Sequence, residues 1–142
     1  MDKELLAQAA FDGDLNLVKE LTEQGCDLNN DYIRRTPLAN AIENQNLEII
    51  VYLLEHGVDV NGVSDCGSHL HHAIDVEADG WHQMNQQEVP PAVSVKILIK
   101  FGANVNFIDE KGNTPLDISI LWNHQDAELS LRENGAVTSR SK

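Results

Sequence analysis

Thr36-Pro37-Leu38-Ala39-Asn40-Ala41, followed 21 residues after its threonine by Gly57-Val58-Asp59-Val60-Asn61, is the stretch that decides how this chain folds. A threonine hydroxyl suits the position just before a helix, where it accepts from a free backbone N–H. Proline suits the first helical position, where its missing N–H costs nothing. Further on, Ile50 and Leu53 place apolar side chains on one face of a second helix, and Gly57 suits the left-handed residue that ends it. The segment therefore reads as two helices joined by a corner.

The pattern recurs along the chain. Its openings are Glu4-Leu5-Leu6-Ala7-Gln8-Ala9, Ser68-His69-Leu70-His71-His72-Ala73 and Thr114-Pro115-Leu116-Asp117-Ile118-Ser119. Its closings are Gly25-Cys26-Asp27-Leu28-Asn29 and Gly102-Ala103-Asn104-Val105-Asn106, with a shortened echo in Gly135-Ala136-Val137. Val18 and Leu21, then Val95 and Leu98, repeat the apolar pair of the second helix. These residues resemble the ankyrin-repeat family, with its period of about 33 residues and its T-P-L-H-x-A signature. The resemblance covers nearly the whole chain and implies an all-α solenoid of about four helix-turn-helix repeats joined by short fingers. The expected repeats are 4–35, 36–67, 68–113 and 114–137, in a single domain 1–137 with a C-terminal tail 138–142. A helix pair cannot cover its own apolar face, so the repeats are expected to stack into a short curved rod. Glu128 stands where earlier repeats place valine or isoleucine, which reads as a C-terminal cap.

One repeat departs from the pattern. The interval from opening to glycine is 21 residues in repeats one, two and four but 34 in repeat three, from Ser68 to Gly102. Thirteen extra residues lie within about 78–92, a polar, proline-bearing stretch that contains Trp81. Long loops in compact domains are often functional, although added surface-loop length also costs little in closure entropy.

Length and composition bound the function. With 142 residues, 42% of them apolar and 23% charged, the chain reads as one globular domain. The acidic start and the lack of any apolar run of signal-peptide or membrane-spanning length point to a cytoplasmic protein. The two cysteines, Cys26 and Cys66, are expected to be free thiols. The net charge is −13, and no Lys or Arg occurs between Thr36 and Val95, where Glu43, Glu48, Glu55, Asp59, Asp65, Asp75, Glu77, Asp79 and Glu88 all fall. Such a block repels nucleic-acid phosphates and anionic membranes and speeds encounter with basic proteins; its plainer reading is a solvated surface.

His69, His71, His72 and His82 lie near Cys66, Asp75 and Glu77, yet their spacing matches no closed Cys/His zinc pattern. His71 takes the place of the signature histidine, so hydrogen bonding around the repeat turn is its expected role. No glycine-rich phosphate loop and no glycine-x-serine-x-glycine nucleophile motif is present. No catalytic residue, cofactor or metal is expected.

The resemblance places partner binding on the fingers and the exposed face of the first helices. Candidate contact residues there are Tyr32, Arg34, Asp65, Phe107 and Asp109 on the fingers, and Asn40, Glu43, His72, Asp75 and Trp122 on the helices. Glu77, Asp79 and Trp81 are added at the edge of the insertion. Tyr32, Phe107, Trp81 and Trp122 are the anchor candidates, since aromatic residues often dominate interface energy; packing along the fingers or over the last repeat is the competing role. The segment Ala73 to Gly80 followed by an insertion is similar to small bacterial ankyrin proteins, some of which accompany toxins as immunity proteins. That likeness implies a monomer that occludes a basic protein partner. A general adaptor is the alternative, and a metal-dependent sensor a more distant one.

Overall fold

The computed structural model describes residues 3–29, 35–64, 67–83 and 91–139, with the backbone alone at 64 and 81–83. The chain forms two compact units, Met1–His69 and Leu70–Lys142. Eight helices carry the described residues.

The first unit contains α1 (Lys3–Asp12), α2 (Leu15–Glu23), α3 (Pro37–Glu43) and α4 (Leu47–Glu55). Thr36 caps α3 through its hydroxyl, which accepts from the Ala39 N–H at 3.0 Å, and Pro37 opens the helix. α1 packs on α2 and α3, and α4 packs on α2 and α3. Leu6, Ala10, Val18, Leu21, Leu38, Ile42, Ile50 and Leu53 are buried in this unit. A short antiparallel pair, β1 (Val63–Ser64) with β2 (Gly67–Ser68), forms the finger after repeat two.

The second unit contains α5 (His69–Gln83), α6 (Val93–Lys100), α7 (Pro115–Leu121) and α8 (Gln125–Glu133). Thr114 and Asp117 form a reciprocal capping box at the start of α7. Burial pushes the Asp117 carboxyl pKa up, but the N–H groups of Thr114 and Ser139 outweigh it and hold the group below its ordinary range. α8 packs on α6 and α7, with Val95, Leu98, Leu116, Ala127 and Leu131 buried.

The recurring Gly-x-Asp/Asn-x-Asn closings have a local cause. Gly25, Gly57, Gly102 and Gly135 all take positive φ, the left-handed conformation that ends the second helix. The Asp or Asn two positions later folds its side chain onto the backbone N–H of the following Asn: Asp27 to Asn29, Asp59 to Asn61 and Asn104 to Asn106, at 2.9, 2.9 and 3.0 Å. That Asn then bridges repeats, since Asn29 Oδ1 accepts from the Asp59 N–H and Asn106 Oδ1 from the Val137 N–H.

The corner between helices differs in repeat three. Repeats one, two and four turn on Gly13, Gln45 and Asn123, each with positive φ and each nine residues after the opening residue. Glu77 holds the same place in repeat three, and there the chain does not turn. α5 runs on to Gln83, so the extra residues begin as added helix, where a polar loop from about 78 was expected. Ala78 and Ala92, at the two ends of that expected loop, are both buried.

Candidate functional site

In the first unit Asn40 is buried and not part of an exposed face. Its Nδ2 donates to the Ala7 carbonyl at 3.0 Å. Asn44 and Asn46 do the same for the carbonyls of Ala10 and Phe11, at 2.7 to 3.0 Å. Asn44 and Asn46 thereby satisfy carbonyls that the C-terminus of α1 leaves open, while Asn40 bonds a carbonyl further inside the helix. Glu43 is half-buried and pairs with Arg35 at 3.1 Å. Tyr32 and Arg34 lie outside the described residues, as do Asp65, Cys66 and Glu88.

In the second unit His72 is buried, which removes it from the expected contact face. Asp75 is half-buried and accepts the indole N–H of Trp122 at 2.6 Å, so these two candidates meet. Phe107 and Asp109 meet around His71. The His71 ring stands edge-on to Phe107, and its Nε2 lies 2.9 Å from the Asn113 carbonyl and 3.7 Å from Asp109. Asp79 is exposed. Trp81 lies on α5, where its side chain is not described.

Glu77 corrects the sequence reading most. It was expected among the partner contacts at the edge of the insertion, yet its side chain is 4% exposed. Its Oε2 accepts from the Ser94 N–H at 2.8 Å, the Ser94 hydroxyl at 2.6 Å and the Val95 N–H at 3.2 Å. Its Oε1 lies 2.8 Å from Nε2 of His124, a residue with no exposure. His124 Nδ1 accepts from the Ala127 N–H, which leaves Nε2 as the nitrogen that donates to Glu77.

This arrangement solves a helix-end problem. α6 begins after Ala92, which has no side chain able to cap it. Glu77 supplies the missing acceptor from α5, and Asp126 supplies another from α8, accepting from the Ala92 N–H at 2.8 Å. Two carboxylates at a helix N-terminus also complement its dipole. The Ala92 N–H holds the Asp126 pKa below the ordinary aspartate range against the opposing effect of burial, and Lys96, 3.1 Å away, adds to the depression. Ser94 and His124 are buried with Glu77, so the trio is closed to substrate and its chemistry is structural.

The acidic charge left on the surface comes from other residues. Glu48, Glu55, Asp59 and Asp79 are exposed. Among the described residues no group of three or more His, Cys, Asp and Glu could hold a metal ion, and no helix is long and apolar enough to cross a membrane. An open depression of about 400 Å³ lies on the outer helices α2 and α4, lined in part by Val51 and Tyr52, residues that the sequence reading did not single out. Tyr52 stacks on His56 with ring centroids 3.9 Å apart.

Comparison with known proteins agrees with this geometry. The family model for ankyrin repeats, in three copies, matches residues 6–80. An ankyrin repeat protein of Rickettsia bellii is 31% identical over 138 residues, covering 95% of this chain and 70% of that protein. Mouse Rabankyrin-5 is 26% identical over 122 residues, 73% of this chain, and the Drosophila melanogaster transient receptor potential protein is 39% identical over 92 residues, 56% of this chain. The matches span only 10% and 7% of those two animal proteins. The repeated caps, the left-handed glycines and these likenesses together place the chain in the ankyrin-repeat family, a type of protein–protein interaction module.

Proposed function

We propose that this chain binds one basic protein and inhibits it by occlusion, as an immunity protein does for a bacterial toxin. The observation that carries this reading is the exposure of Glu48, Glu55, Asp59 and Asp79 within a stretch, Thr36 to Val95, that holds no Lys or Arg. Exposed acidic charge in such excess raises the encounter rate with a cationic partner and turns away phosphate-bearing ligands. The likeness to a bacterial ankyrin repeat protein over 95% of the chain supports a bacterial setting. The mechanism needs no chemistry from this chain, because a partner whose active site is covered cannot reach its substrate.

A second reading, a general adaptor, draws on the likeness to short segments of long animal proteins. Affinity capture of the tagged chain from its native cells, at low and moderate salt, separates the two. One basic protein retained in stoichiometric amount, whose activity falls on titration with this chain, is the outcome expected of an inhibitor. Several weak partners, or none, would replace that reading with the adaptor.

A further inference from the structure

The sequence of α4, Leu47-Glu48-Ile49-Ile50-Val51-Tyr52-Leu53-Leu54-Glu55, is apolar at every position except Glu48 and Glu55. Ile49, Ile50, Leu53 and Leu54 are buried, which accounts for the inner face. Leu47, Val51 and Tyr52 remain, half-buried, on the outer one. A surface helix normally carries polar residues there, and α2 does: counted back from the closing glycine, Lys19 and Glu20 occupy the places of Val51 and Tyr52. α6 and α8 keep one of the two places apolar, as Ile97 and Leu129, so the apolar pair is particular to α4 and is not required by the repeat register.

That face has shape and charge. Leu15, Leu47, Val51 and Tyr52 line the depression of about 400 Å³, and the exposed Glu48 and Glu55 line it too. The two glutamates are seven residues apart, about two helical turns, so they form one row along α4, with Val51 on one side of it and Tyr52 on the other. On α2 the opposite charge appears, with Lys19 Nζ 5.9 Å from the centre of the Tyr52 ring. The Tyr52 ring is itself held by His56, whose ring stacks on it and whose Nδ1 lies 2.8 Å from the Tyr52 carbonyl. An aromatic side chain already fixed in place loses little entropy on binding.

We infer that this outer groove is the docking site for an amphipathic helix of a protein partner, with a row of lysine or arginine residues at seven-residue spacing set between apolar side chains. The apolar side chains meet Val51 and Tyr52, the basic row between them faces Glu48 and Glu55, and an acidic residue on the α2 side faces Lys19. The inference deepens the proposed function, since it names the part of a basic partner that this surface grips, and it rests on that reading for the partner's charge.

The test uses the full chain and a synthetic helical peptide of about 18 residues, with leucines along one face and lysines at seven-residue spacing. A peptide of the same composition in scrambled order controls for charge alone. Backbone amide shifts on titration are expected to concentrate at residues 15–19 and 47–55, with the scrambled peptide about tenfold weaker or more. Val51→Lys should weaken the patterned peptide about tenfold and leave thermal melting unchanged, because Lys19 and Lys96 hold that register in α2 and α6. Tyr52→Ser provides a second reading if Val51→Lys fails to fold. Shifts spread over the anionic surface, equal binding of both peptides, or folded variants that bind like wild type would overturn the groove. A captured basic partner indifferent to Val51→Lys would sink the groove alone. A patterned peptide that binds in the groove, with no basic partner in cells, would uphold the groove and sink the inhibitor.

Discussion

Repeats two and three pass the same corner, from first helix to second, with very different amounts of chain. In repeat two Gln45 takes a left-handed turn, α4 starts two residues later, and Asn46 spends its side chain on the carbonyls of Ala10 and Phe11. In repeat three the corner residue, Glu77, stays helical, and α6 starts sixteen residues later, at Val93. The short corner leaves α4 without a side-chain cap, whereas the long one relies on carboxylates brought from α5 and α8. An insertion at a helix corner is tolerated here because a buried acid rebuilds the helix end that the insertion displaced.

Replacing that acid should therefore have the largest effect. Glu77→Ala leaves the N–H groups of Ser94 and Val95 and the His124 ring without their acceptor, and should cost about 3–5 kcal/mol in urea unfolding. A loss below about 1 kcal/mol would mean that water replaces the carboxylate, and the comparison between corners would collapse. The equivalent cut in repeat two is milder. Asn46→Ala removes bonds to two carbonyls near a partly exposed helix end and should cost about 1–2 kcal/mol by the same assay.

Acid provides a smaller test. The Asp126 pKa is depressed in the folded chain, so its contribution is present above the unfolded-state value and is lost as pH falls through the folded one. Stability should therefore decline below about pH 4, and the decline should be shallower in Asp126→Asn. Equal acid slopes in both proteins would remove Asp126 from the account. The smallest change is a gain: Gln45→Gly relieves a left-handed non-glycine residue and should raise stability by about 0.5 kcal/mol, read as a higher melting temperature. A lower melting temperature would show that the bond from Gln45 Nε2 to the Ile42 carbonyl outweighs the backbone strain.

The fold was legible because its determinants are local. Thr36, Pro37, Thr114 and Pro115 act within one helical turn, and Gly25, Gly57, Gly102 and Gly135 act on their own φ angles. The apolar pairs Val18 with Leu21 and Ile50 with Leu53 are buried as their spacing implies. The candidate site was less legible because its contacts are distant. Glu77 reads as one charge in the run Asp75, Glu77 and Asp79, and its partners Ser94 and His124 lie 17 and 47 residues away. A signal did exist: Glu77 stands at the place of Gly13, Gln45 and Asn123, and Ala92 cannot cap the helix it precedes. Asn40 and His72 were misjudged because spacing alone cannot tell a buried polar residue from an exposed one. Asp75 and Trp122 were both nominated, but only the three-dimensional arrangement joins them.

The acidic residues thus include some that hold helices, Glu77, Asp117 and Asp126, and others that face solvent, among them Glu48, Glu55 and Asp59. The most direct test of the proposed function measures the association rate of the captured basic partner, from low to moderate salt, with wild type and with the combined Glu48→Gln, Glu55→Gln, Asp59→Asn variant. The account predicts a slower rate, a weaker salt dependence and an unchanged unfolding midpoint for the variant. A rate and salt dependence identical to wild type would contradict it.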